Sequence, residues 1–160
     1  MSEEAKPSSA ARQSEALKLW IELIRCSNLL ERNIDKNFRQ QYGQSISRFD
    51  VLSQLERVLE TGLTVGELGQ KLIASKGNIT GLVNRMIKDG LVTKQSKTED
   101  RRCFQVKMSA KGLALFKDMA ENHASWISSS FNSLKIASMK DITSLLAETR
   151  LSLKNNEEFQ

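Results

Sequence analysis

The 160-residue chain is short of the residues that make cross-links, reactive centres and rigid loops: it has one proline, one histidine, one tyrosine and two cysteines. Cys26 and Cys103 lie far apart, without a Cys-x-x-Cys spacing. They therefore define neither a disulfide framework nor a zinc site, and free thiols fit a reducing, cytoplasmic setting. A lone histidine, His123, cannot assemble a metal site, so neither a metal nor a cofactor is expected. No Ser/His/Asp arrangement, phosphate loop or glycine-rich nucleotide fingerprint is present, and catalysis has no support. No apolar run reaches about 18 residues, which excludes a transmembrane helix. The stretch from Met1 to Glu15 lacks the apolar segment of a signal peptide.

What is present has the composition of one globular domain with a core, at 39% hydrophobic and 27% charged residues. The net charge of +5 is confined to one stretch. Residues 64–109 hold nine Lys/Arg against four acids, while the rest of the chain holds fifteen of each sign. A basic excess localised this way is the electrostatic footprint of a nucleic-acid-binding face, whereas a merely solvated surface would mix its charges.

The middle of that stretch carries the strongest periodicity. Ile79, Leu82, Val83, Met86 and Ile87 recur at i, i+3, i+4, i+7 and i+8, which is the apolar stripe of a short helix. At ~100° per residue, Gly77, Asn78, Gly81, Asn84, Arg85 and Lys88 fall on the opposite face, which holds no acid. Ser75 is read as its N-cap and Gly90 as the C′ residue that stops it. The two glycines on the exposed side suit close approach of a bulky, negatively charged partner. Such a helix fits a DNA major groove, where Asn reads adenine and Arg reads guanine. Beyond it, Leu91-Val92-Thr93 starts one strand, and Phe104, Val106 and Met108 alternate with Gln105 and Lys107 in a second, half-buried one. Lys97 to Arg102 form the polar tip between them.

In chain order, residues 1–13 are read as a polar tail containing Pro7, followed by a long helix from Ser14 to about Gln41. Ser47-x-x-Asp50 resembles a capping box that opens a second helix, and Thr64-x-x-Glu67 is a capping box that opens a short third. After the strands, Ser109 caps a long fifth helix, Ser138 starts a sixth, and Asn155 to Gln160 fray. The fold class expected is mainly α with a small β-hairpin wing. A winged helix-turn-helix at 46–109 is combined with a dimerisation lobe from helices at 14–42 and 110–154, all within one domain at 14–160. These terminal helices are too rich in apolar faces to bury alone, which favours a twofold homodimer over an intramolecular bundle.

Thr64 to Gly69, Ser75 to Thr80, Gly90-Leu91-Val92, Asp100-Arg101-Arg102 and Met108 to Gly112 together resemble the MarR family of bacterial transcriptional regulators. The specific motifs lie in residues 64–112, with Gly69 standing where the family usually has Ala. The resemblance implies a homodimeric, ligand-responsive regulator that binds double-stranded DNA at a palindromic operator, more often as a repressor. It implies DNA contacts from Ser75, Lys76, Gly77, Asn78, Thr80, Gly81, Asn84, Arg85 and Lys88 in the helix. In the wing it implies contacts from Lys97, Asp100, Arg101 and Arg102, where one arginine enters the minor groove and Asp100 can hold the other; the sequence leaves open which, with Arg101 at the tip the preferred candidate.

The resemblance also implies an effector pocket between the first, second and fifth helices. Trp20, Phe49, His123 and Trp126 offer flat walls there, and Arg48 offers a cation, which suits a small aromatic acid or its coenzyme A thioester. Ser47 to Leu52 resembles a subgroup that regulates aromatic-acid catabolism. Cys26 is read as a small core residue, with a redox-responsive regulator as the alternative. A further alternative is a winged-helix protein-interaction module that does not bind DNA.

Overall fold

A computed structural model describes residues 9–72, 78–96 and 104–157 of the chain. The order is α1 (Ser9–Tyr42), α2 (Ile46–Glu56), α3 (Val65–Lys71), α4 (Ile79–Lys88), β1 (Val92–Ser96), β2 (Phe104–Met108), α5 (Ala110–Ser130) and α6 (Ile136–Glu157). The chain is mainly helical, and its one sheet among the described residues is the antiparallel pair β1-β2. It divides into two compact units, Met1–His123 and Ala124–Gln160, so α5 contributes to both. Among the described residues, no helix is long and apolar enough to cross a membrane.

Several boundaries differ from those read in the sequence. Helix α1 already runs from Ser9, because Ala10, Ala11, Arg12 and Gln13 are good helix formers that polarity alone made look like a tail. Helix α2 starts at Ile46, capped by Ser45, whose side chain accepts from the Arg48 amide; the expected Ser47–Asp50 box is not used. The Ile46 amide donates instead to Asp35 of α1 at 2.9 Å. The Thr64–Glu67 capping box forms in full, each side chain bonding the other's backbone. Helix α6 begins at Ile136 and continues through Glu157, past the expected fraying point.

In the first unit, α2, α3, α4 and the two strands enclose one core. Val51, Leu52 and Leu55 of α2 meet Leu68 of α3, Leu82, Val83 and Met86 of α4, and Leu91, Val92 and Val106 of the hairpin. Leu63, just before α3, adds a third strand-like contact, exchanging backbone hydrogen bonds with Val106 at 3.0 and 2.7 Å. Burial on this scale, at roughly 25 cal/mol per Å² of apolar surface, is what fixes three short helices that would not be stable alone.

Helix α1 joins the core only through its C-terminal part, where Ile34 and Phe38 are buried. The stretch before it leaves Leu17, Trp20, Ile24 and Leu29 exposed. Cys26 lies on this stretch and is exposed too, not the core residue expected, because no described residue of the first unit covers it. In the second unit, α6 likewise exposes Ile136, Leu145, Leu146, Leu151 and Leu153.

The corner between α4, β1 and α5 is closely packed. Gly90 takes φ +73°, and its amide and that of Leu91 donate back to Ile87 and Met86, a Schellman ending. Ser109 then closes the corner from the far side of the hairpin. Its hydroxyl donates to the Gly90 carbonyl at 2.7 Å and accepts from the Gly112 amide at 2.9 Å. A Cβ on Gly112 would collide with the Leu91 carbonyl oxygen. This is the physical content of the Ser109-x-x-Gly112 spacing. Gly112→Ala is therefore expected to lower unfolding free energy by about 1–3 kcal/mol; a urea melt with an unchanged midpoint would refute this.

Candidate nucleic-acid interface

Helix α4 starts where a local cap allows it to. Asn78 is the N-cap, and its Oδ1 accepts from the Gly81 amide at 2.8 Å. The cap therefore falls three residues later than the Ser75 expected, and Asn78 has a structural duty as well as an exposed position. Gly81 also has a local reason, since a Cβ there would lie 3.0 Å from the Asn78 amide nitrogen.

The helix then sorts its two faces as its periodicity demands. Leu82, Val83 and Met86 are buried, while Asn78, Thr80, Asn84, Arg85 and Lys88 are all exposed. Of the other expected contacts, Ser75, Lys76, Gly77, Lys97, Asp100, Arg101 and Arg102 lie outside the described residues. The hairpin contributes one group that the sequence reading missed. Lys94 of β1 sits over the ring of Phe104 of β2, 4.5 Å from its centroid. The register pairs Lys94 with Val106, which makes Phe104 a diagonal neighbour. Without that register nothing links the two residues.

The C-terminal end of α4 is held from two directions. The Lys111 ammonium donates to the carbonyl of Asp89, the C-cap, at 2.8 Å. The Arg48 guanidinium of α2 meets the Asp89 carboxylate at 2.7 Å and donates to Gln44 at 2.8 Å. Both cations suit the negative end of the helix dipole. Arg48 and Asp89 form one wall of a polar cleft of about 520 Å³, which is also lined by Arg39 and Arg85.

The residues expected around an effector are only partly brought together. Phe49 lies 4.8 Å from Phe38 and 5.5 Å from Phe116, with the His123 ring 4.8 Å away. The place of Phe38 and Phe116 in this stack depends on how α1 and α5 cross α2. Burial lowers the pKa of His123, which favours the neutral ring. Consecutive helix residues point about 100° apart. Arg48 therefore turns away toward Asp89 while Phe49 enters the stack. Trp20 is exposed on α1, and Trp126 belongs to the second unit.

Asp50, next on α2, is half-buried, and its Oδ2 has no hydrogen-bond partner among the described residues. Burial first, and then the Glu31 carboxylate of α1, push its pKa from the usual 3.8 up to about 6. Among the described residues, no group of three or more His, Cys, Asp or Glu side chains is placed to hold a metal ion.

A helix-turn-helix whose second helix shows a polar, basic face, followed by an antiparallel hairpin, defines a winged helix-turn-helix protein. Residues 42–102 match the model of the MarR family. The transcriptional activatory protein BadR of Rhodopseudomonas palustris is 30% identical over 112 residues, 69% of this chain and 63% of BadR. A MarR family transcriptional regulator from Silicibacter pomeroyi superposes with a TM-score of 0.79 at 28% identity, covering 92% of this chain and 99% of that one. Sco3205 of Streptomyces coelicolor, a MarR family regulator solved in complex with DNA, shares the fold with a TM-score of 0.76 at 19% identity, covering 95% and 93%. This chain belongs to the MarR family, and these relatives are transcriptional regulators, not enzymes.

The raised carboxyl of Asp50 carries a signed prediction. Its folded pKa lies above its unfolded value, so its contribution to stability is complete below about pH 4 and is lost as pH rises through about 6. Asp50→Asn should raise the melting temperature at pH 8 and change it little at pH 4. A gain of equal size at both pH values would show that Asp50 ionisation is not the cause.

Proposed function

We propose that this chain is a homodimeric, sequence-specific DNA-binding transcriptional regulator that acts as a repressor. The observation that carries the reading is the exposed face of α4. Asn78, Thr80, Asn84, Arg85 and Lys88 stand out from a helix whose other side is locked into the core. Asn and Arg are the side chains that make bidentate contacts with adenine and guanine, and a helix has the width of the major groove. In this reading Ser75, Lys76, Gly77 and Gly81 allow close approach of the duplex, and Lys97, Asp100, Arg101 and Arg102 act from the wing. A rigid interaction module without DNA would have no use for a basic excess confined to residues 64–109.

The exposed apolar stretch of α1 and the apolar residues of α6 are proposed to be covered by a second copy, each through the same surface on both protomers. A dimer seated over a promoter excludes polymerase, which gives repression. BadR is named as an activator, so the sign of regulation is to be read by transcription in vitro.

Two mutants test the DNA reading. A footprint on operator DNA should show two half-sites about 10–10.5 bp apart. Arg85→Ala should cost ~1–3 kcal/mol at one base position and relax choice there. Arg101→Ala should weaken binding to all sequences and flatten the salt slope by about 0.9. Binding unchanged in both would remove DNA from the account.

The effector we propose is a small aromatic acid or its coenzyme A thioester. The Phe49–His123 stack gives it apolar walls. Arg48 gives it a guanidinium, in exchange for Asp89. A tenfold fall in operator affinity needs only about 1.4 kcal/mol of preference for the released form. Benzoate-type acids should raise the melting temperature and release the operator, and His123→Ala should blunt both effects. If no such acid shifts the melting temperature, the effector class is wrong and the DNA-binding reading stands.

A further inference from the structure

The α2–α4 link at Arg48 and Asp89 is neither part of the core nor on the exposed face of α4. Arg48 is 17% exposed and Asp89 49%, so the pair is half-shielded from water and its Coulomb attraction is less screened than on an open surface. Gln44, in the turn before α2, fixes the guanidinium from the other side, and the Gln44 amide is itself bonded to the Phe38 carbonyl at 3.3 Å. The connection therefore runs from the buried end of α1, through Gln44 and Arg48, to the C-cap of α4. Lys111 and Ser109 hold the same end of α4, but they reach only the backbone of Asp89 and Gly90. Arg48 is the described group that ties the Asp89 side chain to α2, the helix packed behind the helix-turn-helix pair α3 and α4. Arg85 lies one turn before Asp89 on the same helix, so any shift of the capped end moves Arg85 with it.

We infer that Arg48 is a positioning residue for operator recognition. By clamping Asp89 it sets the angle of α4 against α2, and so the point at which Arg85 meets the DNA, without touching DNA itself. The inference rests on the DNA-binding reading above, and charge alone gives an opposite pattern. Asp89→Asn removes an acid beside the DNA-binding face, which by simple electrostatics strengthens binding to a polyanion. Loss of the clamp weakens operator binding whichever partner is removed.

The test compares wild type, Arg48→Ala, Asp89→Asn and the double variant on operator and on random DNA, with thermal melts to show that each is folded. Both single variants should lose at least tenfold in operator affinity. On random DNA, Asp89→Asn should bind as well as wild type or better. The double variant should be no weaker than the worse single one, because both remove the same contact. The charge-swapped pair, Arg48→Asp with Asp89→Arg, should recover part of the loss. Operator affinity that is unchanged or improved in Asp89→Asn, or losses that add in the double variant, would overturn the clamp.

Amide exchange supplies a readout that needs no DNA. The last turn of α4, residues 85–90, should exchange faster in both single variants, and unchanged exchange would equally overturn it. If wild type does not distinguish the operator from random DNA, the DNA-binding reading has failed, and exchange alone decides the clamp.

Discussion

The corner at Gly90 and Leu91 is the constraint on which the DNA-binding unit depends. One backbone turn there has to stop α4, start the wing and receive the first turn of α5. It does so with a left-handed glycine, two back-bonded amides and one serine hydroxyl that both donates and accepts. Leu91 is buried at the same point, so the turn is anchored from below as well. Gly112 has no side chain because the Leu91 carbonyl occupies the space. A change in any of these groups moves the helix end, the hairpin and α5 together.

Around that corner, α4 is a polar surface carried on an apolar footing. Burial fixes one side and leaves the other to present its amide, hydroxyl and cationic groups without reorganisation. Cations from α2 and α5 meet at the C-terminus of α4, where the helix dipole favours them. The N-terminus is closed by a neutral amide from Asn78. The charges on the helix itself, Arg85 and Lys88, both lie in its last turn. The same geometry that stabilises the helix thus also concentrates positive charge beside its exposed face.

The stack of Phe38, Phe49, Phe116 and His123 is the second organised cluster of the first unit, and it joins α1, α2 and α5. Asp50 sits beside it on α2 with one unpartnered oxygen, which is costly in a half-buried seam. Burial raises the carboxyl of Asp50 and lowers the imidazole of His123, so on both elements it favours the uncharged form.

Much of this was legible in the residues. The stripe from Ile79 to Ile87, the Thr64–Glu67 capping box and the stop at Gly90 are local signals, set by neighbours within four positions. The basic excess in 64–109 is a sum over the chain and needs no coordinates. The helix starts at Ile46 and Ile79 differ from the sequence expectation because several capping candidates stand close together, and the choice among them depends on which amide the neighbouring element leaves unpaired. Asp35 satisfying Ile46 is one such case.

The sequence by itself determined the elements, their order and the polar face of α4, because periodicity and caps are short-range. Only the tertiary structure decided that Arg48 grips Asp89 while Phe49 joins a ring stack, that Lys94 lies over Phe104, and that Cys26 is exposed. Each of these depends on which helix or strand happens to lie opposite, and that is settled by packing across long stretches of chain.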